Sequence, residues 1–297
     1  MRIRFWGTRG SVPTPGRHTA RYGGNTPCIE VRLDDNKLII LDAGTGIRAL
    51  GEALMPDGRL ETYILITHPH WDHIQGFPFF RPVYREGNRI TIVGGESDRV
   101  SLYKMVADQM NKIYFPIQWD ELKADIQFRR VGEEEFGVFG ATVNTIFVNH
   151  PSFALGYRIR TGKKSIVYIS DNEPFDRSNE TMKRNIEPWI VERYMNTGAD
   201  PNQRIYDFVR GTDVLIHDAT YTPEEYADHT TWGHSHFLFT LKVATEGEVK
   251  KLVLFHHDPA HNDEKVDEIL RLCRDEIKKQ KLHLECVAAA EEMEIIL

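Results

Sequence analysis

The sequence contains little cysteine. Only Cys28, Cys273 and Cys286 occur among 297 residues, and no two of them form a CxxC pair. This scarcity argues against a disulfide framework or a cysteine zinc finger and favours a reducing, cytoplasmic environment. Long apolar runs are also missing. The chain begins with the strand-like segment Met1-Arg2-Ile3-Arg4-Phe5-Trp6, which predicts neither a signal peptide nor a membrane span.

An excess of positive charge is absent as well. There are 37 Lys and Arg against 44 Asp and Glu, so the formal net charge is −7. We therefore expect no extended nucleic-acid surface and no binding to anionic membranes. No internal repeat, low-complexity tract or flexible linker divides the chain. This continuity predicts one domain over residues 1–297.

Short apolar runs recur along the chain and alternate with helical patterns. Several runs consist of consecutive Ile, Leu and Val, which is typical of strands covered on both faces. Two helices are predicted, over Ser97–Lys112 and near Asn262–Lys281. Interspersed strands and helices favour an α/β layered fold. The predicted strands are Met1–Phe5, Cys28–Leu33, Lys37–Leu41, Tyr63–Ile66, Arg89–Val93, Ala141–Val148, Ala154–Ile159, Ser165–Ile169, Val214–His217, Lys251–Phe255 and Glu285–Ala288.

One polar segment, residues 173–210, interrupts the strand pattern. It carries the aromatic residues Trp189, Tyr194 and Tyr206. We interpret it as a helical insertion that either caps a binding pocket or serves as a packing helix or dimer contact. The aromatic side chains could stack on a nucleobase, although such residues are more often part of a core.

Histidine is plentiful, with thirteen residues, and many lie beside aspartates. The densest group follows the apolar strand that ends near Ile66. Residues i and i+2 of an extended strand exit point the same way, so His68 and His70 can share one cation. A turn through the next residue would direct Asp72 and His73 toward a second cation. Imidazole and carboxylate ligands suit zinc, manganese or iron.

A two-metal site needs further ligands at other strand ends, and the sequence offers three. His150 follows the strand Ala141–Val148, Asp171 follows Ser165–Ile169, and His256 follows Lys251–Phe255. Each residue alone could be a cap or a surface group. Their common position after apolar strands makes them candidate ligands.

This pattern, His-x-His-x-Asp-His followed by a later His, an Asp and a last His, resembles the metallo-β-lactamase superfamily. The resemblance implies an αββα sandwich and two divalent metal ions, zinc before manganese or iron. It implies one metal on His68, His70 and His150, a second on Asp72, His73 and His256, and Asp171 as a bridge. Asp42, in an Asp-x-Gly-x-Gly turn, matches a family position that braces the ligand loop.

The segment His217-Asp218-Ala219-Thr220, with Gly233-His234-Ser235 after it, resembles elements of the RNase Z and cyclic-nucleotide-phosphodiesterase branch. There, an acid orients a histidine that protonates the leaving oxygen. Asp218 stands in place of the usual Glu, so its pairing with His234 is open; the alternative is a structural histidine. The resemblance implies attack on a phosphodiester by a metal-bridged hydroxide, which Asp72 orients or deprotonates.

Substrate class remains open between three hypotheses. RNase Z enzymes carry a basic arm between the third-histidine motif and the bridging aspartate, but here only twenty residues separate His150 from Asp171. Segment 173–210 contains six Lys and Arg and seven Asp and Glu. Without an excess of positive charge, it would gain little binding energy from the phosphates of an RNA. We therefore favour a small or cyclic nucleotide-like phosphodiester, and expect a homodimer as in relatives. The alternatives are an acyl hydrolase (lactonase or thioesterase) and an RNA 3′-end endonuclease.

Overall fold

The computed structural model of the protein describes residues 1–96, 100–185, 188–195 and 200–297. These residues form two compact units. The N-terminal unit comprises Met1–Gly132 together with Ala290–Leu297, and the C-terminal unit comprises Glu133–Ala289. Each unit contains one seven-stranded sheet. Among the described residues, no helix is long and apolar enough to cross a membrane.

The sheet of the N-terminal unit is mixed. Its order is β14-β1-β2-β3-β4-β5-β6, with antiparallel pairing from β14 to β3 and parallel pairing from β3 to β6. The carboxyl ends of the parallel strands share one edge, so residues that follow them are brought together. With strands numbered along the chain, the bounds are β1 Arg2–Gly7, β2 Cys28–Arg32, β3 Leu38–Leu41, β4 Glu61–Ile66, β5 Arg89–Gly94, β6 Asp125–Arg130 and β14 Glu294–Ile296.

The sheet of the C-terminal unit has the order β13-β12-β11-β10-β9-β8-β7. Strands β10 to β13 pair in parallel, and β7 to β10 pair antiparallel. The parallel strands again end at one edge. The bounds are β7 Glu135–Val138, β8 Ala141–Phe147, β9 Leu155–Thr161, β10 Lys164–Ile169, β11 Val214–Asp218, β12 Lys251–Phe255 and β13 Glu285–Ala288.

Helices accompany both sheets. The described helices of the N-terminal unit are α1 Gly46–Leu54, α2 Trp71–Ile74 and α3 Leu102–Ala107. Those of the C-terminal unit are α4 Glu180–Asn185, α5 Pro188–Ile190, α6 Gln203–Val209, α7 Pro223–Ala227, α8 Phe237–Glu246 and α9 Asp263–Lys279. A π-helical turn covers Val191–Met195, and 3-10 turns cover Met55–Asp57, Phe77–Phe79, Arg81–Tyr84, Asp108–Met110 and Trp119–Glu121.

Helix α9 shows how the local sequence determines an element. The side chain of Asn262 accepts a hydrogen bond from the backbone N–H of Lys265 and caps the helix start. Apolar residues at a spacing of three to four form one buried face: Val266, Ile269, Cys273 and Ile277. The last three belong to the hydrophobic core of the C-terminal unit. Burial of each of the Val and Ile side chains contributes about 1.5–3 kcal/mol, so this face rather than helix propensity holds α9 in place.

The α/β prediction is confirmed, and each predicted strand coincides with an observed one to within two residues. The helix predicted over Ser97–Lys112 is wrong in its bounds. The observed helix α3 begins at Leu102, because the Ser101 hydroxyl accepts a hydrogen bond from the helix start. At Asp108 the helix changes to a 3-10 turn. Residues 97–99 lie outside the described part of the chain.

Segment 173–210 contains α4, α5 and α6, in line with the predicted helical insertion. Residues 186–187 and 196–199 and the side chain of Tyr194 lie outside the described part. Tyr206 is buried in the core of the C-terminal unit, so it does not offer a stacking face. Trp189 contacts Phe147, with ring centroids 4.5 Å apart. A capping role for this segment and a single domain over 1–297 stay predictions.

Candidate metal centre

The His-x-His-x-Asp-His segment follows β4 in the N-terminal unit. His70 has an extended backbone, and α2 begins at the next residue, so the chain turns sharply there. The ring centroids of His68 and His70 lie 4.6 Å apart, and those of His68 and His73 lie 4.2 Å apart. His68, Asp72 and His73 are buried, whereas His70 is exposed. An extended exit followed by a helical turn thus gathers four potential ligands, as the spacing predicted.

Asp42 braces this loop. Its fully buried carboxylate accepts hydrogen bonds from the backbone N–H of Thr67 at 2.8 Å, from the Thr67 hydroxyl, and from Nδ1 of His73 at 2.8 Å. These contacts are the ones expected of the bracing role predicted for Asp42, which stays a prediction. A carboxylate can only accept, so Nδ1 of His73 carries the proton and Nε2 keeps its lone pair. That Nε2 atom lies 3.3 Å from Oδ2 of Asp72.

Three residues in the C-terminal unit form a second group of candidate ligands. His150 follows β8, Asp171 follows β10 and His256 follows β12, and all three are buried. Nε2 of His256 lies 3.2 Å from Oδ1 of Asp171, and Nε2 of His150 lies 3.8 Å from Oδ2. Each carboxylate oxygen therefore faces a different imidazole. This is the arrangement expected of a carboxylate that serves two cations.

The tautomer of His150 follows from its other contact. Its Nδ1 lies 3.1 Å from the carbonyl oxygen of Gly233, which can only accept, so Nδ1 donates and Nε2 retains its lone pair. Lone pairs of imidazole nitrogens thus face carboxylate oxygens in both units, at His73 beside Asp72 and at His150 beside Asp171. A cation held by both atoms makes such contacts favourable. The donor set of imidazoles and carboxylates fits zinc, manganese or iron.

Left-handed backbone conformations occur at several of these positions. Ser11, Asp42 and His256 have φ angles of 62°, 59° and 60°. Ser11 uses this conformation to donate its backbone N–H to Oδ2 of Asp72 at 2.7 Å. Residues with a Cβ adopt this conformation at an energetic cost, and such outliers cluster at functional sites. The contact of Ser11 with Asp72 was not predicted.

Asp218 and His234 lie together in the C-terminal unit. Oδ2 of Asp218 is 3.1 Å from Nδ1 of His234, so the shorter carboxylate does reach the histidine. Asp218 is fully buried at the end of β11 and also accepts from the backbone N–H groups of Thr220, Ser235 and Asn172 and from the Thr220 hydroxyl. These donors hold the carboxylate in place. Because a carboxylate can only accept, Nδ1 of His234 is the donor in this contact.

His234 also adjoins the second group of candidate ligands. Its ring stacks on that of His256, with centroids 4.8 Å apart. Ligand atoms of Asp218, His234 and His256 all lie within 4.8 Å of one another. His217, by contrast, is a structural residue: Nδ1 donates to the carbonyl oxygen of Asp218, Nε2 contacts the Asn172 amide, and burial lowers its pKa.

Comparison with known proteins agrees with this picture. The family described as the Beta-lactamase superfamily domain matches residues 37–199. Ribonuclease Z of Staphylococcus aureus (strain JH9) is 24% identical over 304 aligned residues, which cover 92% of this chain and 93% of the relative. The predicted recognition as an RNase Z-like superfamily member is therefore confirmed.

Two solved structures show the fold. The metallo-β-lactamase fold protein YhfI from Bacillus subtilis has a TM-score of 0.66 at 16% identity and covers 99% of this chain and 98% of its own. A diphosphatase from the PhnP family has a TM-score of 0.65 at 18% identity and covers 100% and 97%. The predicted fold class is confirmed. The chain belongs to the β-lactamase superfamily, has the metallo-β-lactamase fold and is a metal-dependent hydrolase.

Proposed function

We propose that this protein is a phosphodiesterase that cleaves a small, nucleotide-like phosphodiester with the help of two divalent cations. The observation that carries the proposal is the 3.1 Å contact of Asp218 with His234, beside the candidate ligand His256. Hydrolysis of a phosphodiester expels a poor leaving group, an alkoxide, which must be protonated. A thioester does not need this second acid, because its thiolate leaving group is much less basic than an alkoxide.

The residues present fit the metals that the superfamily implies. The resemblance assigns His68, His70 and His150 to one cation, Asp72, His73 and His256 to the other, and Asp171 to both. Two bound cations would neutralise the phosphate and lower the pKa of a water molecule. Zinc is our first choice because imidazole nitrogens predominate among these ligands, and manganese and iron are the alternatives.

Proton transfer is assigned to two side chains. Asp72, held by the backbone N–H of Ser11, accepts the proton of the attacking water. His234 in its protonated form donates from Nε2 to the departing oxygen, while Nδ1 stays bonded to Asp218. Asp218 stabilises the imidazolium before transfer and keeps the ring oriented afterwards.

The hairpin that joins His150 to Asp171 supports a small substrate. Strands β9 and β10 pair from Thr161 opposite Lys164, and two residues form the turn. Gly162 has a φ of +57°, which suits such a tight turn. The short loop leaves no room for an RNase Z arm. Because the nearby segment 173–210 has no excess of positive charge, we rank a small ester above a tRNA precursor.

The RNA 3′-end endonuclease is the second candidate, because a relative that matches 92% of this chain is named ribonuclease Z. A substrate screen separates the alternatives. The purified protein is freed of metal, supplied with zinc, manganese or iron(II), and assayed on cyclic mononucleotides, cyclic dinucleotides, bis(p-nitrophenyl) phosphate, a tRNA precursor, a lactone and a thioester.

We expect turnover of small phosphodiesters and little cleavage of the tRNA precursor. Preferred cleavage of the precursor would favour the endonuclease. Turnover of the lactone or thioester alone, unchanged by His234→Ala, would contradict the proposal. His283→Ala, at an exposed histidine outside the candidate site, is the matched control.

A further inference from the structure

Glu173 is a buried carboxylate with an unusual set of partners. It lies two residues after Asp171 and is 2% exposed. Oε1 accepts hydrogen bonds from the Tyr226 hydroxyl at 2.8 Å and from the backbone N–H of Thr231 at 2.7 Å. Oε2 accepts from the backbone N–H of Gly233 at 2.9 Å. All three donors belong to the segment Tyr226–Gly233, which leads directly into His234.

Gly233 connects this carboxylate to a candidate metal ligand. While its N–H donates to Glu173, its carbonyl oxygen accepts from Nδ1 of His150 at 3.1 Å. The residue has a φ of +87°, and an added Cβ would lie 2.1 Å from Nδ1 of His150. Only glycine therefore fits here. Because Gly233 bonds to both side chains, a displacement of Glu173 would also displace the carbonyl oxygen that orients the His150 ring.

Ser235, the residue after His234, is also held by hydrogen bonds in this region. The Ser235 hydroxyl donates to the carbonyl oxygen of Asn172, and the backbone N–H groups of Asn172 and Ser235 both donate to Asp218. Asn172 and Glu173 thus hold the loop on both sides of His234. Position 234 is fixed from the backbone as well as by its own bond to Asp218.

We propose that Glu173 is a positioning residue. Its carboxylate anchors the loop Tyr226–Gly233, which orients the His150 ring through the Gly233 carbonyl and places His234 against Asp218. Three donors on two oxygens require a carboxylate. Glutamine has one acceptor oxygen, and its NH₂ group would oppose a donor. Aspartate is one methylene shorter and would leave part of the loop unanchored. The kinetic consequence rests on the proposed phosphodiesterase activity, whereas the effect on His150 does not.

The test compares Glu173→Gln with Glu30→Gln. Glu30 is an equally buried carboxylate in the N-terminal unit, where it accepts from the Trp6 indole and from Arg32, so it controls for the loss of a buried charge. Tyr226→Phe removes one of the three donors and leaves both backbone N–H groups. Three properties are measured for each variant: the histidine ring ¹⁵N spectrum of the metal-free protein, the Kd for zinc, and kcat and KM for bis(p-nitrophenyl) phosphate.

For Glu173→Gln we expect a changed Nδ1 signal of His150, assigned with His150→Gln, a zinc Kd raised about tenfold, and a kcat lowered about tenfold with KM changed less than about threefold. Tyr226→Phe should show the same changes in smaller measure, and it serves as the test if Glu173→Gln does not fold. Glu30→Gln should match the wild type in all three properties.

Wild-type values for His150, zinc affinity and kcat in Glu173→Gln would overturn the inference, as would equal losses in Glu30→Gln. If the wild type does not hydrolyse the ester, the proposed function fails, but the ¹⁵N spectrum and the zinc Kd still decide the role of Glu173.

Discussion

Nε2 of His256 lies 3.2 Å from Oδ1 of Asp171. The other carboxylate oxygen, Oδ2, faces Nε2 of His150. Asparagine at position 171 would keep one acceptor oxygen and lose the charge. We predict that Asp171→Asn binds less than two equivalents of metal and loses at least about 100-fold in kcat. The reason is that mutating even the residues that hydrogen-bond to metal ligands lowers metal affinity or activity about 10–100-fold. Metal content by mass spectrometry and steady-state kinetics check this. Two equivalents and normal kcat would remove Asp171 from the ligand set.

Removal of metal should also lower the stability of the protein. A ligand present at 100 times its Kd stabilises the folded state by about 2.7 kcal/mol, which for a protein of this size corresponds to roughly 4 °C in Tm. We therefore predict that a chelator lowers Tm by about this amount and that zinc restores it. Differential scanning calorimetry provides the measurement. A chelator should leave Tm unchanged in Asp171→Asn if that variant has lost its metal.

Asp42→Asn tests the brace of the ligand loop. The amide cannot accept at both positions from Thr67 and from Nδ1 of His73, so the His73 ring loses part of its orientation. We predict a metal Kd raised about 10–100-fold, while kcat at saturating metal falls less. Titration with zinc in a competing chelator measures the Kd. An unchanged affinity would show that the ligand loop keeps its geometry without this hydrogen bond.

Much of the candidate site could be predicted from the sequence because its residues follow apolar strands. His68 comes after such a run in the N-terminal unit. In the C-terminal unit His150, Asp171 and His256 follow β8, β10 and β12, which run in the same direction and end at one edge of the sheet. The Asp218–His234 pairing was left open, since sequence spacing does not tell how far a shorter carboxylate reaches. The fully buried position of Asp218 at the end of β11 provides that reach.

Other parts could not be predicted, for physical reasons. Strand β6 was not predicted, because only Ile126 and Phe128 are apolar in an otherwise polar segment. Glu173 gave no signal either. Its partners are 53 to 60 residues away, and two of them are backbone N–H groups, which every non-proline residue has. Contacts of this kind become visible only once the chain is folded.

The most direct test of the proposed function compares two leaving groups. A good leaving group such as p-nitrophenolate needs little protonation, whereas the ribose oxygen expelled from a 3′,5′-cyclic nucleotide needs a proton. The kcat of His234→Ala and of the control His283→Ala is measured on both classes of ester. We predict that His234→Ala loses about 100-fold or more on the cyclic nucleotide but no more than about tenfold on bis(p-nitrophenyl) phosphate. Equal losses on both esters, or no loss on either, would contradict the assignment of His234 as the acid.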